Sequence, residues 1–467
     1  MFHQPASALI RILCMVVIVT LFACNNATQP ISVLTPNGNI YEEIIELARA
    51  ETQKARSLSF IRPVKTGILT RDQYRKTYSN ASSSAGNDLV MNAFKQYGFV
   101  PDTMSSSKYI ANNTDSFAAA FYKPGSDSLY IIDASKYNEG MLFIIAAHEF
   151  THALQEQHFN PFTNQIYSGI IQSNLNSDFY LSQLCIAEGD ATISELYTYY
   201  NYITSPDSVY DSIESYIAVT RADYYDSIKT KNVPSYLNIQ GYAPYQIGAG
   251  FVWDIFSAGK WNAVNRLYHA DRPISTKQII TGSTQTPWSF DFSAVMPVLL
   301  SNTTKLVFAD DDTYGPVMLM ALLNKYVDTE HCKAALGWQG DRCAFTLSDN
   351  QKWGSFVWAL KFDTPENTEY VYERLDSLYT NRNLGQLTAT RIADTSGISY
   401  SNANSQLFLR KSGTFIFIMD NVSSKSTVLA ALDKPSAVAK KDTHYTALSP
   451  TADIRVKHQI IDMIIGR

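Results

Sequence analysis

Met141-Leu-Phe-Ile-Ile-Ala-Ala-His148-Glu149-Phe-Thr-His152-Ala-Leu-Gln-Glu-Gln157 is apolar or helix-favouring at almost every position, and its few polar residues are spaced with a purpose. The spacing predicts a buried helix carrying His-Glu-x-x-His. Successive residues on a helix turn about 100°, so side chains four apart lie within about 40° of each other. His148 and His152 therefore project from one face, one turn apart, which suits two imidazoles sharing a metal ion. Glu149 points to the side of that pair, where a carboxylate can take a proton from a water whose pKa a zinc ion has lowered to about 7. With 8 His and 14 Glu in 467 residues, the pattern arises by chance roughly 0.004 times per chain.

A zinc site that does chemistry uses three protein ligands and keeps a fourth position open. Three residues compete for the third place. His158 lies six residues after His152, about 240° round a continuous helix and so facing away. Glu156 keeps the face but sits a full turn further along a rigid rod. Glu188, in Ala187-Glu-Gly-Asp-Ala191 on a second long apolar segment, is 36 residues beyond His152, with Pro161 and Gly169 between them to reverse the chain. Glu188 is the expected ligand. On its helix Asp190 and Thr192 are candidates to orient a ligand imidazole; Asp190 lies about 200° round from Glu188, and Thr192, one turn on, is better placed. Cys185, one turn before Glu188, is read as a buried thiol rather than a thiolate ligand.

Around this pair of segments the chain reads as α+β. Helical periodicity covers 40–58 and weakly 88–97. The runs 117–122 and 129–133 flank Lys123-Pro-Gly-Ser-Asp-Ser128 and predict a hairpin. Helices are expected over 141–157, 176–201, 208–231 and 244–258. Beyond about residue 300 strands are expected at 342–347, 355–362, 406–410 and 414–419, with helices at 312–326 and 365–378. Asp310-Asp311-Asp312 lacks the alternate spacing and Gly turn of a calcium loop and is read as the cap of the 312–326 helix. The expected organisation is an α-rich domain over 40–300, carrying the small hairpin, and an α+β domain over 301–467.

The histidine motif and the Glu-bearing helix resemble the gluzincin type of zincin metallopeptidase. More closely, the chain resembles a group of exported bacterial and archaeal zincins in which a hairpin precedes HExxHALQxQHF, followed by EGDA, PYxxG…F and GWxGDR segments. Here these are His148–Phe159, Glu188–Ala191, Pro244–Phe251 and Gly337–Arg342, within about residues 117–363. The resemblance implies a zincin-like catalytic domain, hydrolysis of peptide bonds, and a peptide or protein substrate of unstated sequence. Zincins hold an extended substrate on an edge strand, here expected at Leu129–Asp133, and stabilise the oxyanion with a Tyr or His donor. Tyr245 is the first candidate donor, followed by Tyr242 and His269.

The N-terminus sets the compartment. Arg11 precedes the apolar run Ile12–Ala23, too short to span a bilayer and of signal-peptide length. Leu21-Phe-Ala-Cys24 resembles the lipobox of bacterial lipoproteins, with Phe22 bulkier than the usual residue. Residues 1–23 are thus expected to be removed, Cys24 lipidated, and 24–39 to serve as a polar tether. Asn25 is not the Asp of inner-membrane retention, which inclines the reading toward the outer membrane. An oxidising envelope compartment permits a disulfide between Cys332 and Cys343 across the turn-rich Gly337–Asp341. The net charge of −5, from 38 basic and 43 acidic residues, provides no basic face for nucleic acid. With 45% hydrophobic residues, disorder is excluded. The rival expectation is a non-catalytic envelope binding or assembly module that keeps a structural or vestigial zinc site.

Overall fold

The computed structural model describes residues 40–78, 92–103, 119–162, 176–227, 235–301, 305–323, 333–349 and 353–432, apart from 382, 385–386, 396 and 404. The signal, lipobox and tether, with Cys24, lie outside these residues, as does Cys332. Helix α1 (Ile40–Arg56) buries Ile44, Ile45, Ala48, Thr52 and Ala55, the face its periodicity called for. Strand β1 (Lys65–Leu69) and helix α2 (Arg71–Tyr78) follow. The expected hairpin forms from β2 (Ala120–Lys123) and β3 (Ser128–Ile132) around a single helical turn at Pro124–Ser126. β1 adds in parallel to β3, pairing Ile68 with Ile131, so the sheet order is β1-β3-β2. This corrects one expectation. β3 is the middle strand, its backbone groups paired on both sides, so Leu129–Asp133 cannot receive an extended substrate. The edges belong to β1 and β2.

Two long helices come next, α3 (Glu139–Phe159) and α4 (Ser177–Ile203). Each starts on an asparagine cap. Asn138 accepts from the Met141 amide at 2.9 Å and Asn176 from that of Phe179 at 2.7 Å, which satisfies one of the donors a helix start leaves open. α3 is buried without interruption from Leu142 to Gln157. A helix apolar all round must lie inside a protein. α3 packs on the small sheet and α1 along one side and on α4 along the other.

Helices α5 (Pro206–Ser227) and α6 (Ser235–Arg266) complete the helical layer. α6 begins well before the expected 244 and carries Pro244 inside it. The lost hydrogen bond of a helical proline is offset by the packing of the next turn on α4, where Gly248 and Gly189 meet. A Cβ on Gly189 would lie 2.3 Å from the Gly248 carbonyl oxygen, and one on Gly248 would lie 2.2 Å from that of Cys185. Only two glycines allow the backbones this close.

After the short helices α7 (Thr276–Thr281) and α8 (Val295–Ser301) the chain builds a seven-stranded antiparallel sheet. Its order is β4-β5-β6-β12-β11-β10-β9, from β4 (Leu306–Asp312), β5 (Trp338–Ser348), β6 (Ser355–Phe362), β9 (Thr390–Asp394), β10 (Gly397–Ser401), β11 (Gln406–Ser412) and β12 (Phe415–Asp420). β7 (Asn383–Leu384) and β8 (Leu387–Thr388) form a separate two-residue ladder. α9 (Gly315–Leu323) and α10 (Pro365–Thr380) cover one face with Phe94 and Tyr97, while Phe290, Val295 and α11 (Lys425–Leu432) cover the other. Both cores draw on residues from before position 300.

The expected helix at 312–326 starts only at Gly315, with 324–326 outside the described residues, and the three aspartates lie on β4 rather than on a helix cap. Asp311 pairs with Arg342 on β5 at 2.7 Å, and Asp312 accepts from the Ser177 amide at 2.7 Å, so it caps α4 from another element. Gly315 opens α9 at φ 75°, with Asp178 Oδ1 2.0 Å from where a Cβ would stand. Its backbone is closed to other residues. The fold class is α+β, as the sequence implies. No helix among the described residues is long and apolar enough to cross a membrane.

Candidate metal centre

α3 and α4 are buried on all sides, yet where they touch they bury His148, Glu149, His152, Glu188 and Glu195, each 2% exposed or less. Buried polar groups are the informative exceptions in a protein interior. His148 Nε2 and His152 Nε2 stand 3.0 Å apart, and Glu188 Oε2 is 3.2 Å from the first and 3.3 Å from the second. A tetrahedral ion with bonds of 2.0–2.1 Å places its donors about 3.3–3.4 Å from one another, so the triangle has the right edge. These three residues form a buried cluster that could hold a metal ion. Glu188 is thus the third member that the sequence expected.

The outer partners are consistent with that reading. Glu195 Oε2 accepts from His148 Nδ1 at 2.8 Å. Gln155 Oε1 lies 2.9 Å from His152 Nδ1, while Gln155 Nε2 donates to the Ala187 carbonyl at 2.9 Å and to Asp190 Oδ2 at 3.1 Å. Both imidazoles thus face an acceptor with Nδ1 and turn Nε2 inward, the orientation metal-bound histidines require. Two ring nitrogens and a carboxylate oxygen converging at such distances repel unless a proton or a metal cation lies among them. The charge balance agrees, because Glu149, Glu188 and Glu195 bring three buried carboxylates against two histidines. Burial opposes the imidazolium, but Glu195, Glu188 and Glu149 outweigh it and lift the His148 pKa well above its ordinary value. Burial also raises that of Glu195, against the pull of His148.

The other candidates fall clear of the cluster. His158 Nε2 donates to the Ser59 carbonyl at 2.8 Å, and Glu156 accepts from the Phe162 amide at 2.9 Å. Cys185 is buried among Ile186, Ala249 and Val252. The Tyr245 ring lies 6.1 Å from that of His148, inclined by 29°, because the Gly189–Gly248 contact brings this turn of α6 over the ligands. The Tyr242 side chain is outside the described residues. His269 is exposed and stands edge-on to Phe159, 5.8 Å away. Cys343 is buried on β5; its expected partner, Cys332, is not among the described residues.

Asp190 meets no imidazole directly, and the Thr192 hydroxyl meets none either. The outer partners are instead Glu195 and Gln155, which the sequence reading passed over. Each had a local signal. Glu195 follows Glu188 by seven residues, two turns along the same face, and Gln155 follows His152 by three. No family model matches this chain, and comparisons with curated proteins and with solved structures return no match.

Proposed function

We propose that the chain is a zinc metallopeptidase of the gluzincin type, anchored in the bacterial envelope by lipid on Cys24. His148, His152 and Glu188 would hold Zn²⁺. The observation that carries this reading is the convergence of their three donor atoms at 3.0–3.3 Å, with both histidines turned Nε2 inward. Bound there, zinc supplies Lewis acidity and acidifies a water. Glu149 accepts the proton of the attacking water on its carboxylate and passes it to the departing amine nitrogen. Tyr245, beside His148, donates its hydroxyl to the carbonyl oxygen as that oxygen gains charge. The lipobox supports the location, and the outer membrane is favoured by Asn25.

A second reading has its own observation. Every member of the cluster is 2% exposed or less, which favours a non-catalytic binding or assembly module with a structural zinc. One experiment separates the two. The protein starting after Cys24 is assayed for zinc and for cleavage of a peptide library, beside Glu149→Gln. One zinc per chain in both proteins, with cleavage lost in the variant, supports the peptidase. Equal cleavage by both proteins refutes the role of Glu149. Zinc in both without cleavage by either leaves the structural site.

A further inference from the structure

Helix α1 ends in a buried charge. Arg56, 1% exposed, faces Asp190 in a forked pair, Nε to Oδ1 at 3.0 Å and Nη2 to Oδ2 at 3.1 Å. Arg56 Nη2 also reaches Asn265 Oδ1 at 2.8 Å, and the guanidinium lies over the Trp261 ring, 4.4 Å from its centroid. Tyr268 donates to Asp190 Oδ2 at 2.8 Å. Four elements are tied at one carboxylate, none of them through an imidazole. An ion pair this deep is weak evidence for stability, because desolvating both partners offsets most of their attraction. Another use for it is one step away.

The amide of Gln155 can face His152 with either end, and the two ends dictate opposite tautomers. A carbonyl oxygen requires the proton on Nδ1; an amide nitrogen requires a lone pair there, which would leave the proton on Nε2, aimed at the other ligands. The choice is made behind the glutamine. Its Nε2 stands against two acceptors, the Ala187 carbonyl and Asp190 Oδ2. Arg56 grips both oxygens of Asp190 from behind, which aims Oδ2 at Gln155 as an acceptor. We infer that the Arg56–Asp190 pair is a tautomer lock: acting through Gln155, it holds His152 with its proton on Nδ1 and its Nε2 lone pair on the metal side. Arg56 and Asp190 are positioning residues in this account. The consequence for metal binding rests on the function proposed above, but the lock itself is a property of the protein without metal.

The test is therefore read first on the metal-free protein. Long-range ¹H–¹⁵N spectra of ring-labelled histidine report which nitrogen of each imidazole is protonated, and His152→Gln assigns the signal. Wild type is expected to show His152 protonated on Nδ1 alone. Asp190→Asn, nearly the same shape, and Gln155→Met are expected to show a mixture of tautomers with the other histidines unmoved, and zinc affinity lowered about 10–100-fold. Should Asp190→Asn fail to fold, the double replacement Arg56→Met with Asp190→Leu, which exchanges the buried pair for apolar side chains and removes the acceptor, is expected to show the same mixture. Wild-type His152 protonated on Nε2 overturns the inference. So does a single Nδ1-protonated form in Asp190→Asn or in the double replacement with only stability reduced, since a purely structural pair would behave that way. A wild-type protein that binds no zinc defeats the proposed function and leaves the tautomer result standing.

Discussion

Replacing Gly248 with alanine should drive α4 and α6 apart next to the candidate metal ligands. A Cβ there would lie 2.2 Å from the Cys185 carbonyl oxygen and 2.9 Å from its carbon, both backbone atoms that no rotamer change can move. Real Cβ atoms almost never come within 3.0 Å of another heavy atom, so the helices must separate by close to 1 Å locally. Alanine in a helix interior is favoured over glycine by about 1 kcal/mol, and overpacking a filled contact costs about 1–3 kcal/mol. With backbone on both sides the upper part of that range applies, for a net loss of about 1–2 kcal/mol. Glu188 is one turn from Cys185 and next to Gly189, so the same displacement moves it relative to His148 and His152. Metal sites tolerate errors of about 0.2 Å, and zinc affinity should fall at least about tenfold. The urea midpoint and a chelator competition titration measure the two effects. Gly140→Ala, in the first turn of α3 with nothing closer than 3.6 Å to its added Cβ, is the control and should be neutral or stabilising. If Gly248→Ala raised the midpoint as propensity alone dictates, the close helix contact would be refuted.

Glu195→Ala should lower zinc affinity about 10–100-fold by releasing His148 Nδ1, as read by competition titration. Asp341→Ala should lower stability by about 3–5 kcal/mol in chemical denaturation, because it strands the indole donors of Trp338 and Trp358 and the amides of Tyr314 and Gly315, all 2.9–3.0 Å from its oxygens. Burial pushes the pKa of Asp178 up to about 7, against hydrogen bonds from Ser275 and Thr276. An aspartate whose folded pKa exceeds its unfolded value favours the folded state fully below pH ~4 and loses that contribution as pH rises to ~7. Unfolding free energy should therefore decline across pH 4–7, and Asp178→Asn should flatten the decline. Removing residues 1–56 should lower zinc affinity by at least about 10–100-fold, measured by competition titration, since Arg56 leaves with α1.

The cluster of His148, His152 and Glu188 was legible because each member rests on a local regularity. His148 and His152 share a face by helical spacing, and Glu188 sits on the next long apolar segment. The hairpin around Pro124 also carried a signal that can be read one residue at a time, whereas the asparagine caps and the glycines of the α4–α6 contact went unread. What escaped has a common physical cause. β1 lies some 60 residues before β3, and its parallel pairing, which turns the supposed edge into a middle strand, leaves no periodic trace. The aspartates at 310–312 suit a cap by composition, but pairing of β4 with β5 overrode that local preference.

The same division runs through the site. The chain by itself determined which side chains could bind a metal, because the rise and rotation of a helix place residues four apart side by side whatever surrounds them. Only the tertiary structure decided how those side chains are turned. The tautomer of His148 depends on Glu195 two turns along a different helix, and that of His152 on Gln155, which faces Asp190 and, behind it, an arginine 134 residues away in sequence. Hydrogen-bond direction is set by whichever acceptor packing brings within 3 Å, and sequence distance carries no information about that.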